Sequence, residues 1–327
     1  MKTGKVLSIG LALIACLAVC AIADPLPGES LLFTQRPMVQ TNIFGPVFFG
    51  HDEASTAVQL PVGAPFDVYA GPFVADDFAF KSGKAITHLK FWGGYLSNFS
   101  GENVQKFFIS FESDVPQGPN EAFSHPGAAL VSQIVTAGAL APASGTFAEK
   151  LIRPKGGPPQ QTPLFEYNAE LATPFVAAPN TVYWLKVVAL TEPVAPGPAK
   201  FQWGWHNRDY TINDPLAPTP PAVTPGENGF FSPIPEIPPI WHFQDDAVGG
   251  DLRLIDIGSP VTGRFTVEQS NMSPRNYLAD WDGPSYIAQF SKDLAFELYG
   301  VPEPSVGLIG LAATVVLMRR LRLGNAR

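Results

Sequence analysis

Five histidines, 29 acidic side chains and six tryptophans are the residues of this chain whose types could do chemistry or hold a ligand. His51, His88, His125, His206 and His242 are scattered, with no His-x-His or His-Glu-x-x-His spacing, so a hydrolytic metal centre has no local signature. Neither a Gly-x-Ser-x-Gly elbow nor a Gly-x-x-x-x-Gly-Lys phosphate loop occurs. Both cysteines, Cys16 and Cys20, lie near the start, so the rest of the chain forms no disulfide, thiolate metal site or cysteine nucleophile. The carboxylates offer three clusters of the kind a calcium ion takes, namely Asp76-Asp77, Glu112 with Asp114, and Asp245-Asp246. Adjacent strand residues point to opposite faces, however, so an Asp-Asp pair seldom gives one ion two ligands. The expectation is therefore no metal and no other cofactor, with calcium the candidate a structure could revive. Paired carboxylates would suit glycoside cleavage, but their separation belongs to the fold. Trp92, Trp203, Trp205 and Trp241 are candidate platforms for stacking on sugar rings, although alternating aromatics on a strand also describe a core. No catalytic residue is assigned.

Charge narrows the partners. The whole chain of 327 residues carries a net −8, and the stretch from Asp24 to Gly300 holds 28 acidic against 15 basic residues. An acidic body of this kind repels nucleic-acid phosphate and anionic lipid, which excludes polyanions as expected partners. Hydrophobic residues make up 46%, enough for a real core.

Both ends read as targeting segments. Lys2 and Lys5 precede an apolar run from Val6 to Val19 and then Ala21-Ile22-Ala23, the form of a secretory signal peptide over residues 1–23. Signal peptidase is then a partner, with Ala21 and Ala23 as recognition positions and Asp24 as the new N-terminus. At the other end, Pro302-Glu303-Pro304 is followed by an apolar run from Val306 to Met318 and by Arg319, Arg320 and Arg322. About thirteen residues reach roughly 20 Å as a helix, and the arginines hold the end in the cytoplasm. This order of motif, helix and basic end over residues 301–327 resembles the PEP-CTERM sorting signal of bacteria. The resemblance implies recognition of Pro302, Glu303 and Pro304 by an exosortase-type membrane protease. It also implies a C-terminal transmembrane anchor before processing, and a body left secreted or on the cell surface.

The elements between these ends are short. From Asp24 to Gly300 apolar residues alternate over brief runs separated by Gly, Pro, Asn and Asp, which predicts an all-β sandwich or barrel. In Lys106 to Glu112, Phe107, Ile109 and Phe111 point one way while Ser110 and Glu112 point the other, Glu112 to solvent, with Phe108 breaking the polar face. In Ile86 to Trp92, Thr87, Leu89 and Phe91 form the expected core face. Thr181 to Leu190 is apolar on both faces apart from Lys186, fitting a central strand. Phe201, Trp203 and Trp205, then Leu252 to Ile257, then Leu294, Phe296 and Leu298 continue the series. The body has 32 prolines, incompatible with many long helices, and nine fall between Pro215 and Pro239 in a stiff surface loop. A division near residue 215 is the alternative to one sandwich.

Val74-Ala75-Asp76-Asp77-Phe78 followed by Ile86 to Tyr95 resembles the opening of an uncharacterised extracellular β-sandwich domain of secreted bacterial proteins. Phe107 to Pro116, Phe123 to Gly127, Tyr183-Trp184-Leu185, Phe201 to Asn207, Asp245 to Val248 and Lys292 to Phe296 continue the likeness in order. It covers roughly residues 72–299 and implies no assigned chemistry. The resulting expectation is an antiparallel, jelly-roll-like sandwich over 72–300, preceded by an N-terminal extension over 24–71 and carrying long Pro-rich loops. Its expected role is non-catalytic, adhesive or structural, in the envelope or an extracellular polysaccharide matrix. A glycan-acting enzyme or carbohydrate-binding module is the alternative.

Overall fold

A computed structural model describes residues 28–208, apart from 38, 43–44, 49, 62–65, 99, 117–118, 139–143, 154–162 and 195–198, together with 247–256, 265–274 and 293–300. The expected signal peptide with Ala21, Ala23 and Asp24, the sorting motif Pro302, Glu303 and Pro304, the Pro-rich loop and Trp241 lie outside the described residues. Among the described residues every regular element is a strand and no helix is long and apolar enough to cross a membrane.

The strands are β1 (Ser30–Gln35), β2 (Val39–Asn42), β3 (Gly45–Phe48), β4 (Asp52–Ala54), β5 (Thr56–Gln59), β6 (Asp67–Ala79), β7 (Lys84–Asn98), β8 (Lys106–Val115) and β9 (His125–Ala137). They continue with β10 (Thr146–Arg153), β11 (Leu164–Ala177), β12 (Val182–Thr191), β13 (Phe201–Arg208), β14 (Val248–Asp256), β15 (Phe265–Pro274), β16 (Asp293–Leu294) and β17 (Phe296–Gly300). β2 and β3 pair with each other, and the remaining strands form one sheet in the order β1-β17-β7-β11-β10-β9-β8-β12-β5-β6-β14-β15. β13 joins the free edge of β7 beyond β17, and it also takes β4 and β16.

This sheet closes over one large interior. Leu89 and Phe91 of β7, Tyr167 and Phe175 of β11, Trp203 and Trp205 of β13 and Phe296 of β17 meet Phe78 of β6, Phe107 and Phe111 of β8 and Leu185 of β12. The rings interlock edge to face or in stacks: Phe107 lies 4.9 Å from Trp203 and Phe111 lies 4.5 Å from Phe175. Gly93 is required here, because a Cβ at that position would sit 2.3 Å from the Trp203 ring. A second, smaller interior lies on the opposite face of β8 and β12. There the β14–β15 hairpin curls over Phe108, Trp184 and Val188, with Phe73 and Tyr69 of β6 between them.

The all-β reading holds, and β12 is the central strand, buried along its whole length between β8 and β5 with β6. The sheet is mixed instead of purely antiparallel, since β5 runs parallel to β12 and β9 parallel to the start of β10. The cause at β12 is local. β6 pairs with Val182–Lys186 and then diverges toward β14, so β5 fills the edge it leaves. Strands β1, β4 and β5, from the expected extension 24–71, are hydrogen-bonded into the same sheet as the strands from 72–300.

Two face assignments are corrected. Ile86 shares the large interior with Leu89 and Phe91, because the pairing of β7 with β11 shifts between Glu170 and Phe175 and the alternation changes phase. Glu112 is 1% exposed and does not reach solvent, because the second interior covers its face.

Candidate functional site

The chemistry-bearing side chains gather at three seams where strands distant in sequence meet. The first lies on the covered outer face of β8 and β12. Lys186, the lone charge in an apolar strand, stands opposite Ser110 in register and donates from Nζ to Glu112 Oε1 at 2.7 Å. The same Nζ donates to Gln269 Oε1 of β15 and lies 4.1 Å from the centre of the Phe73 ring. Both charged side chains are at most 1% exposed. Burial pulls the Lys186 ammonium below the ordinary lysine value, and Glu112 pulls it partly back. Nearby, Asp114 Oδ1 accepts from Trp184 Nε1 at 2.9 Å and from Ser124 Oγ at 2.7 Å.

The second seam joins β1, β6 and β16. Asp76 Oδ2 accepts from Gln35 Nε2 at 3.1 Å and from the Leu294 N–H at 2.8 Å, and Gln35 Nε2 also donates to Asp293 Oδ1 at 2.7 Å. Burial pushes the Asp76 carboxyl up to about 6, against hydrogen bonds from Asp293, the Leu294 and Asp77 N–H groups and Gln35.

The third seam joins β4 to β13. His206 Nδ1 and Asp52 Oδ1 are 2.8 Å apart in the interior, while Asn207 hydrogen-bonds Glu53 and the backbone and ring of His51 at the margin. A related set covers β7 and β17 from outside. Glu297 accepts from Thr34, Arg36 and Tyr299, and His88 is stacked on Tyr299 and bonded to Glu29. Burial draws the His88 imidazole down more than Glu29 draws it up.

The predicted site residues are placed differently. Trp203 and Trp205 are fully buried and hydrogen-bond Tyr167 Oη and the Ala295 carbonyl; Trp92 is 4% exposed and packs on Leu164 and Ala295. None of these three presents a ring face to solvent, which corrects their reading as a sugar platform: sheet alternation turns them into interiors formed by other strands. Of the calcium clusters, Asp76 and Asp77 follow Val74 and Ala75 onto opposite faces, toward the large and the small interior. Glu112 is engaged by Lys186 and Asp114 by Trp184, and Asp245-Asp246 lies outside the described residues. Among the described residues no group of three His, Cys, Asp or Glu side chains is arranged to hold a metal. Sequence reasoning missed Gln35, Asp52, His206 and Gln269. Lys186 alone carried a signal, since a charge inside an otherwise apolar central strand demands a buried partner.

Comparison with known proteins adds one result. No curated protein and no solved structure matches the chain. A family model described as a domain of unknown function, DUF7901, matches residues 33–240, from Phe33 in β1 to beyond β13, which is more than half of the chain, and the protein belongs to that family.

Proposed function

We propose that this protein is a non-catalytic, exported surface protein of bacterial origin, a substrate of signal peptidase and of an exosortase-type protease, with an adhesive or structural role in the envelope or extracellular matrix. The observation that carries the non-catalytic reading is how the body uses its charged side chains. Asp52, Asp76, Glu112, Lys186, His206 and Asp293 are each at most 9% exposed and are engaged by other interior groups. A hydrolase needs its acid and base open to substrate in a cleft. Side chains spent on joining strands suit a durable wall.

Export and sorting rest on the sequence of the two ends. Mass spectrometry of the protein recovered from the cell surface should give an N-terminus at Asp24 and no residues of the apolar run after Ser305. Recovery of intact Met1 or of Arg327 would overturn this part. Incubating the mature protein with a panel of extracellular polysaccharides should leave their chain lengths unchanged. Cleavage that disappears in Asp76→Asn would replace the structural reading with the glycan-acting one.

A further inference from the structure

The geometry at the first seam points to a covalent cross-link: an isopeptide bond between the Lys186 amine and the Gln269 carboxamide, formed with Glu112 as proton carrier. Three observations meet there. The amine is wholly buried, against an aromatic ring, and in contact with the carboxamide oxygen of a strand 83 residues further along the chain. A carboxylate lies 2.7 Å from the same nitrogen, and its second oxygen, Glu112 Oε2, is buried and has no hydrogen-bond partner among the described residues, which leaves it open to carry a proton. The carboxamide is anchored from its nitrogen side, because Gln269 Nε2 donates to the Pro126 and Gly127 carbonyls at 2.9 Å each.

Lysine is a nucleophile only as the free amine, and a low-dielectric surround favours that neutral form. The step balances without any co-reactant. Lys186 Nζ passes a proton to Glu112, and the neutral amine adds to Gln269 Cδ as the carbonyl electron pair moves onto Oε1. Glu112 delivers its proton to Nε2 and takes the surplus proton from the new nitrogen. The Cδ–Nε2 bond then breaks, the carbonyl re-forms, and ammonia leaves. Five hydrogens and zero net charge stand on each side, with Glu112 ending as a neutral carboxylic acid. A buried ion pair is thereby replaced by neutral groups, which removes the desolvation cost of both charges. The bond would fasten the β14–β15 hairpin to the central strand of a body that has no cysteine. The inference holds whether or not the surface role proposed above is correct.

Peptide mapping of the denatured full-length protein by tandem mass spectrometry tests it. The expected result is a branched peptide joining the Lys186 and Gln269 segments, lighter than the two together by one ammonia and unchanged by reductant. Lys186→Arg and Gln269→Ala should each lose the branch. Glu112→Gln, shown folded by near-ultraviolet circular dichroism, should yield the two peptides unlinked. Separate, unmodified Lys186 and Gln269 peptides from the folded wild-type protein would overturn the bond irrespective of how any variant folds. A branch that persists in Glu112→Gln would overturn the role given to Glu112.

Discussion

Phe111 and Glu112 are neighbours on β8 whose side chains enter different interiors, one filled with aromatic rings and the other holding the Lys186 side-chain nitrogen. Truncating Phe111 to alanine leaves a cavity and should cost about 3–5 kcal/mol. Truncating Glu112 removes both the carboxylate beside the Lys186 nitrogen and the proton carrier of the proposed cross-link, so the lysine is left as a buried, uncompensated charge, a loss of similar size, about 3–5 kcal/mol. Urea unfolding of Phe111→Ala and Glu112→Ala should therefore show midpoints lowered to a comparable degree. A change of no more than about 0.5 kcal/mol for Glu112→Ala is what an exposed side chain would give, and it would contradict this placement. A period of two puts the two residues on opposite faces, as the structure does, but by itself leaves the second face reading as solvent. Alternation fixes sides; it carries no information about what covers a side. The cover here is β14 and β15, supplied by residues far along the chain. Phe108, on the same face as Glu112, was the visible sign that this face was covered.

At the level of elements, the seam of β1, β6 and β16 depends on protonation. An aspartate whose folded value is raised contributes stability that is complete below its unfolded value and is lost as pH rises through the folded one. For Asp76 that window runs from the ordinary aspartate range up through about 6, so the wild type gains stability as pH falls through it. His88 opposes it, because its lowered value removes stability as pH falls. The informative quantity is thus the difference in melting temperature between the wild type and Asp76→Asn. That difference should move in favour of the wild type between pH 7.5 and pH 5, and a constant difference would show that Asp76 ionises normally in the fold. Packing between elements gives a second expectation. Gly93→Ala puts a methyl into the Trp203 ring and beside the Gly204 carbonyl, 2.4 Å away, so it should destabilise by about 1–3 kcal/mol in thermal unfolding. The strands themselves were largely legible, since β8, β12, β13, β14 and β17 stand where alternating or wholly apolar runs placed them. Their partners were not. Gln35 meets Asp293 across 258 residues and His206 meets Asp52 across 154, and no local spacing encodes such pairs.

On the scale of the whole molecule, early and late parts of the chain close the same interior. β1 pairs with β17, Phe33 stacks on Phe296 at 5.0 Å, and β17 in turn pairs with β7. Burial of the charged pairs at the seams makes partial opening expensive, because a strand that leaves exposes its partner's charge to an apolar wall. The body should therefore unfold as one unit, its two interiors and its polar seams failing together. Tryptophan fluorescence and near-ultraviolet circular dichroism report on both interiors, through Trp203 and Trp205 in the larger and Trp184 in the smaller. Followed together with calorimetry under reducing conditions, they should give one coincident transition whose calorimetric and van't Hoff enthalpies agree. Two separated transitions, or a calorimetric enthalpy well above the van't Hoff value, would show instead that the two interiors open independently.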